Sequence, residues 1–267
     1  KKEVTIYEVG PRDGLQNEKM LIATEDKIEL VNNLTACGFK KIEVTSFVSP
    51  KWVPQMADAS RVLEGILRLD KVTYSALTPN LKGFHRAQTA CANEVSIFAA
   101  ASEGFSMANI NCSIEDSLKR FKLVVNAAKA ADISIRGFVS VVTDCPYDGR
   151  IDPSAVTRVA KALADMGCHE VGLADTIGAA TPEKVAHLID AVLEVLPAAQ
   201  LSCHFHDTNG LALENVDVAL EKGIRRFDSS IGGLGGCPYA PGATGNVATE
   251  AIVDLVNKRG YDTCLDS

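Results

Sequence analysis

The 267 residues carry a net charge of −7 and a pI near 5.3, with 46% hydrophobic and 23% charged side chains. That composition supplies an ordinary globular core, and without basic clusters or interleaved aromatics it speaks against nucleic acid or an anionic membrane as partner. No apolar run approaches the roughly 20 residues of a membrane span. Eight cysteines, at 37, 91, 112, 145, 168, 203, 237 and 264, form no CxxC pair and no disulfide-scaffold spacing, which favours free thiols in a reducing compartment. The chain opens on Lys1 rather than Met, as it would after removal of an upstream segment, and shows no signal or transit peptide.

Short apolar runs then alternate with helical patterns without a break. Val4 to Val9 is followed by a helix around Glu25 to Cys37, Lys41 to Thr45 by one around Met56 to Leu69, and Val72 to Leu77 by one near Leu81 to Ala92. Glu94 to Ala99 leads to Ile114 to Ala131, where Ser113 and Asp116 form a weak capping signal. Ser134 to Val142 precedes Pro153 to Met166, and His169 to Leu173 precedes Pro182 to Leu196. Gln200 to His206 leads to Leu211 to Lys222, and Arg226 to Ile231 leads to Asn246 to Lys258.

Strands separated by such helices pair in parallel through right-handed crossovers. Eight such units in about 260 residues predict an α/β fold, a single closed (β/α)8 TIM barrel over residues 1–267, rather than an open doubly wound sheet. In such barrels the site lies where strands meet the loops that follow them. Polar residues at those eight junctions are therefore the candidates.

The seventh strand ends in Cys203-His204-Phe205-His206-Asp207, and strand alternation puts Ser202, His204 and His206 on one face. Two imidazoles about 7 Å apart on a rigid face make half of a metal site, although a bare HxH is also found as ordinary hydrogen-bonded histidines. The first strand ends in Gly10-Pro11-Arg12-Asp13-Gly14, which puts a guanidinium beside a carboxylate. Glu43 lies inside the second strand, where a buried carboxylate needs a partner, and Arg12 is the obvious one. Strand six ends in Asp175-Thr176. The last strand runs into Gly232-Gly233-Leu234-Gly235-Gly236-Cys237, which lacks phosphate-loop spacing and reads as a mobile flap carrying one thiol to the mouth. Asp13, His204 and His206, with an amide oxygen from Asn246, give a mixed O/N set that suits Mg²⁺, Mn²⁺ or a similar divalent cation with open positions.

The segment Val9-Gly10-Pro11-Arg12-Asp13-Gly14-Leu15-Gln16-Asn17-Glu18, with Thr45 to Met56 and the flap Gly233 to Tyr239, closely resembles the 3-hydroxy-3-methylglutaryl-CoA lyase family of the DRE-TIM metallolyases. The likeness runs over essentially the whole chain. It implies retro-Claisen cleavage of 3-hydroxy-3-methylglutaryl-CoA to acetyl-CoA and acetoacetate, a step of leucine degradation and ketone-body metabolism. It implies a divalent cation, Mg²⁺ or Mn²⁺, on Asp13, His204, His206 and Asn246, and Arg12 as the residue that stabilises the enolate. Cys237 would take part in proton transfer, with Glu43, Asp175 and His204 also in the catalytic set.

Substrate contacts are expected from Arg12, Gln16 and Thr176. Lys19 would meet the phosphates of coenzyme A, and Asn109, Asn111 and Ser113, in the long loop after strand four, its adenine or pantetheine. The resemblance further implies a homodimer with no nucleic-acid or membrane partner, in a bacterial cytoplasm or a mitochondrial matrix. The alternatives are a lyase for a longer branched 3-hydroxyacyl-CoA, a Claisen synthase condensing acetyl-CoA with a 2-oxo acid, and an inactive barrel serving as a scaffold.

Overall fold

The computed structural model describes residues 2–237 and 240–265, with the side chains of 237 and 240–244 outside the described residues. Eight parallel strands close into a barrel: β1 (Thr5–Glu8), β2 (Lys41–Ser46), β3 (Thr73–Leu77), β4 (Glu94–Ala100), β5 (Ser134–Ser140), β6 (Glu170–Asp175), β7 (Leu201–Phe205) and β8 (Arg226–Ser229). Each strand pairs with its neighbours in chain order, and β8 returns to β1 through Ser229 opposite Glu8. Every connection can therefore be a helical crossover on the outside. A continuous apolar layer between strands and helices, with Ile42, Leu63, Val95, Val125, Leu163 and Ile189 at its heart, holds the ring.

The outer helices are α1 (Thr24–Ala36), α2 (Ala59–Gly65), α3 (Leu81–Thr89), α4 (Glu103–Ile110), α5 (Ile114–Ala130), α6 (Pro153–Met166), α7 (Pro182–Leu193), α8 (Ala212–Glu221) and α9 (Thr249–Lys258). Two departures from the sequence reading bear on function. The helix expected from Met56 is a short 3-10 turn, Pro54–Met56, followed by a brief α2, because Gln55 turns inward to bind the carbonyls of Glu18 and Met20 and the amide of Ile22. The long loop after β4 contains α4, started by the Ser102 side chain accepting from the Phe105 amide and ended by Asn111 in the left-handed region. Asn109 is therefore helical.

Candidate active site and metal centre

The turn after β1 is a π-type turn, Gly10–Gly14, in which the amides of Arg12, Asp13 and Gly14 all donate to the carbonyl of Val9. Such wide turns are rare and gather at functional positions. Here the turn aims two consecutive side chains at one place. Arg12 donates from Nε to Glu43 and from a terminal nitrogen to Asp13 Oδ1 at 2.8 Å, and Glu43 also accepts from Ser96 Oγ at 3.1 Å. All three charged groups are buried or nearly so, and each has a partner. Burial alone would raise the Asp13 carboxyl, but the guanidinium and the two histidines hold it well below its usual range.

Asp13 Oδ2 lies 3.3 Å from His204 Nε2 and 3.6 Å from His206 Nε2, and the two imidazole nitrogens are 3.2 Å apart. The pleat puts both histidines on the inner face, as the sequence predicts, yet their ring nitrogens meet far more closely than the roughly 7 Å strand repeat. Three donor atoms of the type a divalent cation takes thus converge on one point, and among the described residues no other group of His, Cys, Asp and Glu does so. Burial lowers the His204 pKa, but hydrogen bonds to Asp13 and Asp228 outweigh it and raise the value to about 10. A cation placed among these groups would answer the same clustering of negative charge. The donor set therefore fits a metal.

Asn246 is brought beside His206 by a strand-like addition to the end of β7. Asn246 bridges His206, Asp207 donates to the Gly245 carbonyl at 2.8 Å, and Val247 donates to the Phe205 carbonyl at 3.1 Å. Its amide nitrogen donates to the Leu234 carbonyl at 3.3 Å, which leaves its oxygen as the acceptor. A β-carbon on Gly245 would overlap the Gly235 carbonyl, so this close approach requires glycine. The glycine-rich segment is a 3-10 turn, Ile231–Gly233, and a hairpin pairing Gly236 with Thr244 and Cys237 with Ala240. Cys237 is placed by its backbone next to Gly236, which lines the site cavity. Its thiol falls outside the described residues.

These groups open into a cavity of about 260 Å³ at the C-terminal ends of the strands. Arg12, Asp13, Gln16, His204 and His206 form its polar side, with Asn109 and Thr176 on the rim. Its apolar side is Val48, Val53, Leu77, Phe98, Phe105 and Phe138, of which Phe105 comes from the unforeseen α4. A wider hollow of about 560 Å³ lies on the outer wall between α2 and α3, but it brings together no acid and no thiol.

Of the remaining expected residues, Thr176 reaches the cavity and the others are placed around it. Asp175 pairs in register with Phe205, one residue out of step with Ala174 and Thr176, which face the cavity. Its carboxylate instead accepts from the amides of Ala179 and Ala180, and burial lifts its pKa to about 6. Glu43 lies behind Arg12. Lys19 is exposed in the loop held by Gln55, Asn111 caps the end of α4, and Ser113 caps the start of α5 by accepting from the Asp116 amide. Thr176 Oγ1 accepts from the amide of Val141, a β-branched residue at φ 54°, and so pins a strained turn at the rim.

Three buried charged residues behind the site went unforeseen. Glu8 accepts from the amides of Gly10 and Ile231, both at 2.9 Å, and from Thr249 Oγ1, tying the π-turn to the glycine-rich segment. Asp228 accepts from His204 Nδ1, and Arg136 donates to Asp228. Glu8 and Arg136 stand beside apolar neighbours in their strands, the same signal that drew attention to Glu43, whereas Asp228 lies in the polar strand Arg226–Ser229 and gave no such signal.

The HMGL-like family model matches residues 3–267. The chain is 54% identical to the mitochondrial hydroxymethylglutaryl-CoA lyase of Arabidopsis thaliana over 99% of its own length, and spans 57% of that relative. It is 55% identical to a 3-hydroxy-3-isohexenylglutaryl-CoA/hydroxy-methylglutaryl-CoA lyase of Pseudomonas aeruginosa, covering 99% of this chain and 88% of the relative. The solved HMG-CoA lyase of Brucella melitensis superposes with a TM-score of 0.98 at 55% identity, covering 100% of this chain and 94% of that one. An HMG-CoA lyase from Acinetobacter baumannii in complex with coenzyme A and 3-methylmalate superposes at 0.94 with 40% identity, covering 99% and 86%.

Proposed function

This chain belongs to the HMGL-like family, and from that premise we propose that it cleaves 3-hydroxy-3-methylglutaryl-CoA to acetyl-CoA and acetoacetate with the help of a divalent cation. The observation that carries this reading is the meeting of Asp13, His204 and His206 beside the buried guanidinium of Arg12. Asp13, His204, His206 and Asn246 would hold Mg²⁺ or Mn²⁺. Bound there, the cation supplies Lewis acidity that lowers the pKa of the substrate's C3 hydroxyl.

The reaction breaks the C2–C3 bond of the substrate. C3 becomes the ketone carbon of acetoacetate as its hydroxyl passes its proton to solvent water in the cavity, and the bonding pair passes to C2 as a thioester enolate. Arg12 faces that developing charge. Glu43 and Asp13 hold its guanidinium in place before the reaction starts, so stabilising the enolate requires little rearrangement, and such a contact is worth roughly 3 kcal/mol, or about a hundredfold in rate. The enolate then takes a proton at C2, which we assign to the Cys237 thiol. We assign Gln16, Asn109 and Thr176 to binding and orienting the acyl chain and pantetheine arm, on their position around the cavity. Asp175, one residue out of step with the cavity-facing Ala174 and Thr176, is held by the amides of Ala179 and Ala180 and acts on His206 through its charge.

The small cavity and its aromatic wall favour the methyl branch over a longer one. The free thiols of Cys37, Cys91 and Cys264 at the surface support a reducing compartment. The test is incubation of Mg²⁺-loaded protein with 3-hydroxy-3-methylglutaryl-CoA, and separately with acetyl-CoA and a 2-oxo acid. Cleavage without condensation supports the proposal; condensation alone favours the synthase.

A further inference from the structure

His204 touches the candidate metal point with only one of its two ring nitrogens. The other, Nδ1, lies 3.1 Å from Asp228 Oδ2, and the two residues are direct register partners on β7 and β8. An ionised carboxylate can only accept. Paired with it, Nδ1 keeps its ring hydrogen when a cation is bound, which leaves Nε2 as the nitrogen that offers the cation a lone pair.

Asp228 is itself held. Its Oδ1 accepts from Arg136 at 2.8 Å, and Arg136 donates from Nε to Glu170 at 2.7 Å and from a terminal nitrogen to Ser202 Oγ at 3.2 Å. The guanidinium lies 3.8 Å from the ring centre of Tyr7 and 4.8 Å from that of Phe138. Arg136 is therefore held by two rings and, through Nε and one terminal nitrogen, by three acceptors, and it sits inside a barrel that packing alone would fill with aliphatic side chains. Burying such a column is not needed for stability, since apolar replacements of buried ion groups are often neutral or better. The column Glu170–Arg136–Asp228 ends on the His204 nitrogen that faces away from the metal point. We propose that Asp228, braced by Arg136, is a positioning residue that fixes the tautomer and angle of His204 so that Nε2 faces the cation.

The inference rests on the reading of Asp13, His204 and His206 as a metal centre. It is tested by Mn²⁺ titration of metal-stripped full-length protein, read by electron paramagnetic resonance, for the wild type, Asp228→Asn and Arg136→Lys. The asparagine can offer an N–H to Nδ1 and favours the opposite tautomer. Asp228→Asn should bind Mn²⁺ about 10- to 100-fold more weakly with an unchanged circular dichroism spectrum, and saturating Mn²⁺ should restore part of its turnover; Arg136→Lys should fall between. Folded Asp228→Asn with the wild-type affinity would overturn the inference, whereas a wild type that binds no Mn²⁺ would overturn the metal reading beneath it. Should the variants fail to fold, ¹⁵N-histidine spectra of the wild type decide. In the Mg²⁺-loaded protein the histidine that has shifted should carry its proton on Nδ1 alone; a loaded histidine with its proton on Nε2 would overturn the proposal.

Discussion

Arg12 and Asp13, adjacent in the chain, share an ion pair of 2.8 Å and both line the same cavity. In an extended strand neighbouring side chains point apart; the π-turn brings these two together. One of them is positioned for the substrate's developing charge and the other for the cation.

Replacing Arg12 with Gln should lower kcat by about 10²- to 10³-fold with a smaller change in KM. It also leaves Glu43 buried without its cation, a loss of about 3 kcal/mol or more of stability. The double variant Arg12→Gln/Glu43→Gln should regain much of that stability, measured by thermal unfolding, while turnover stays low. Recovery of both would mean that Arg12 acts only through packing.

Gly245→Ala should weaken Mn²⁺ binding more than tenfold, because the added methyl must push apart Gly235 and the segment that sets Asn246 opposite His206. The neighbouring Gly236, where a β-carbon meets nothing, is the control and should tolerate Ala with little change. Equal behaviour of the two variants in a metal titration would argue against a tight role for the close approach at Gly245.

Burial raises the Glu8 carboxyl from an ordinary value of 4.5 to about 7. An acid raised in this way holds its proton more tightly when folded. The stability it contributes is complete below about 4.5 and is lost as the pH rises through 7. The difference in unfolding free energy between wild type and Glu8→Gln should therefore fall by about 3 kcal/mol from pH 4.5 to 8. Denaturant titrations across that range check it; a difference that stays flat would contradict the assignment.

Phe105 on α4 closes the apolar side of the cavity. Phe105→Ala should raise kcat/KM for a longer branched 3-hydroxyacyl-CoA relative to the methyl substrate by about tenfold or more. Competition assays with paired substrates measure the ratio directly. An unchanged ratio would place the selectivity elsewhere.

The barrel was legible because parallel strands and crossover helices each leave a clear period, and eight repeats leave few alternatives. Arg12, Asp13, His204 and His206 were legible because they stand at strand ends, where the fold admits function. The inner column was less so. Glu8 and Arg136 sit among apolar neighbours, where a single charge announces burial without naming its partner across the barrel, and Asp228 sits in a polar strand that announces nothing. Asn111 illustrates the reverse case: a polar residue in a loop on the correct side of the barrel, taken up by the end of α4, a helix of only eight residues that the sequence reading did not find, while Ser113 caps α5 as its spacing to Asp116 suggests. The 3.2 Å approach of the two imidazoles also follows from ring orientation, which strand spacing does not set.

If Cys237 supplies the proton to C2, Cys237→Ala should lose at least about 10²-fold in kcat while binding Mn²⁺ as the wild type does. A loss of metal binding in that variant would give the thiol a different role.

The most direct measurement is release of acetyl-CoA and acetoacetate from 3-hydroxy-3-methylglutaryl-CoA by metal-stripped protein, before and after addition of Mg²⁺ or Mn²⁺, beside a His206→Ala variant. Cleavage that appears only with metal in the wild type, and in neither condition in the variant, is the expected result. Full cleavage by the stripped protein, or none by the metal-loaded protein, would contradict a metal-assisted lyase built on Asp13, His204 and His206.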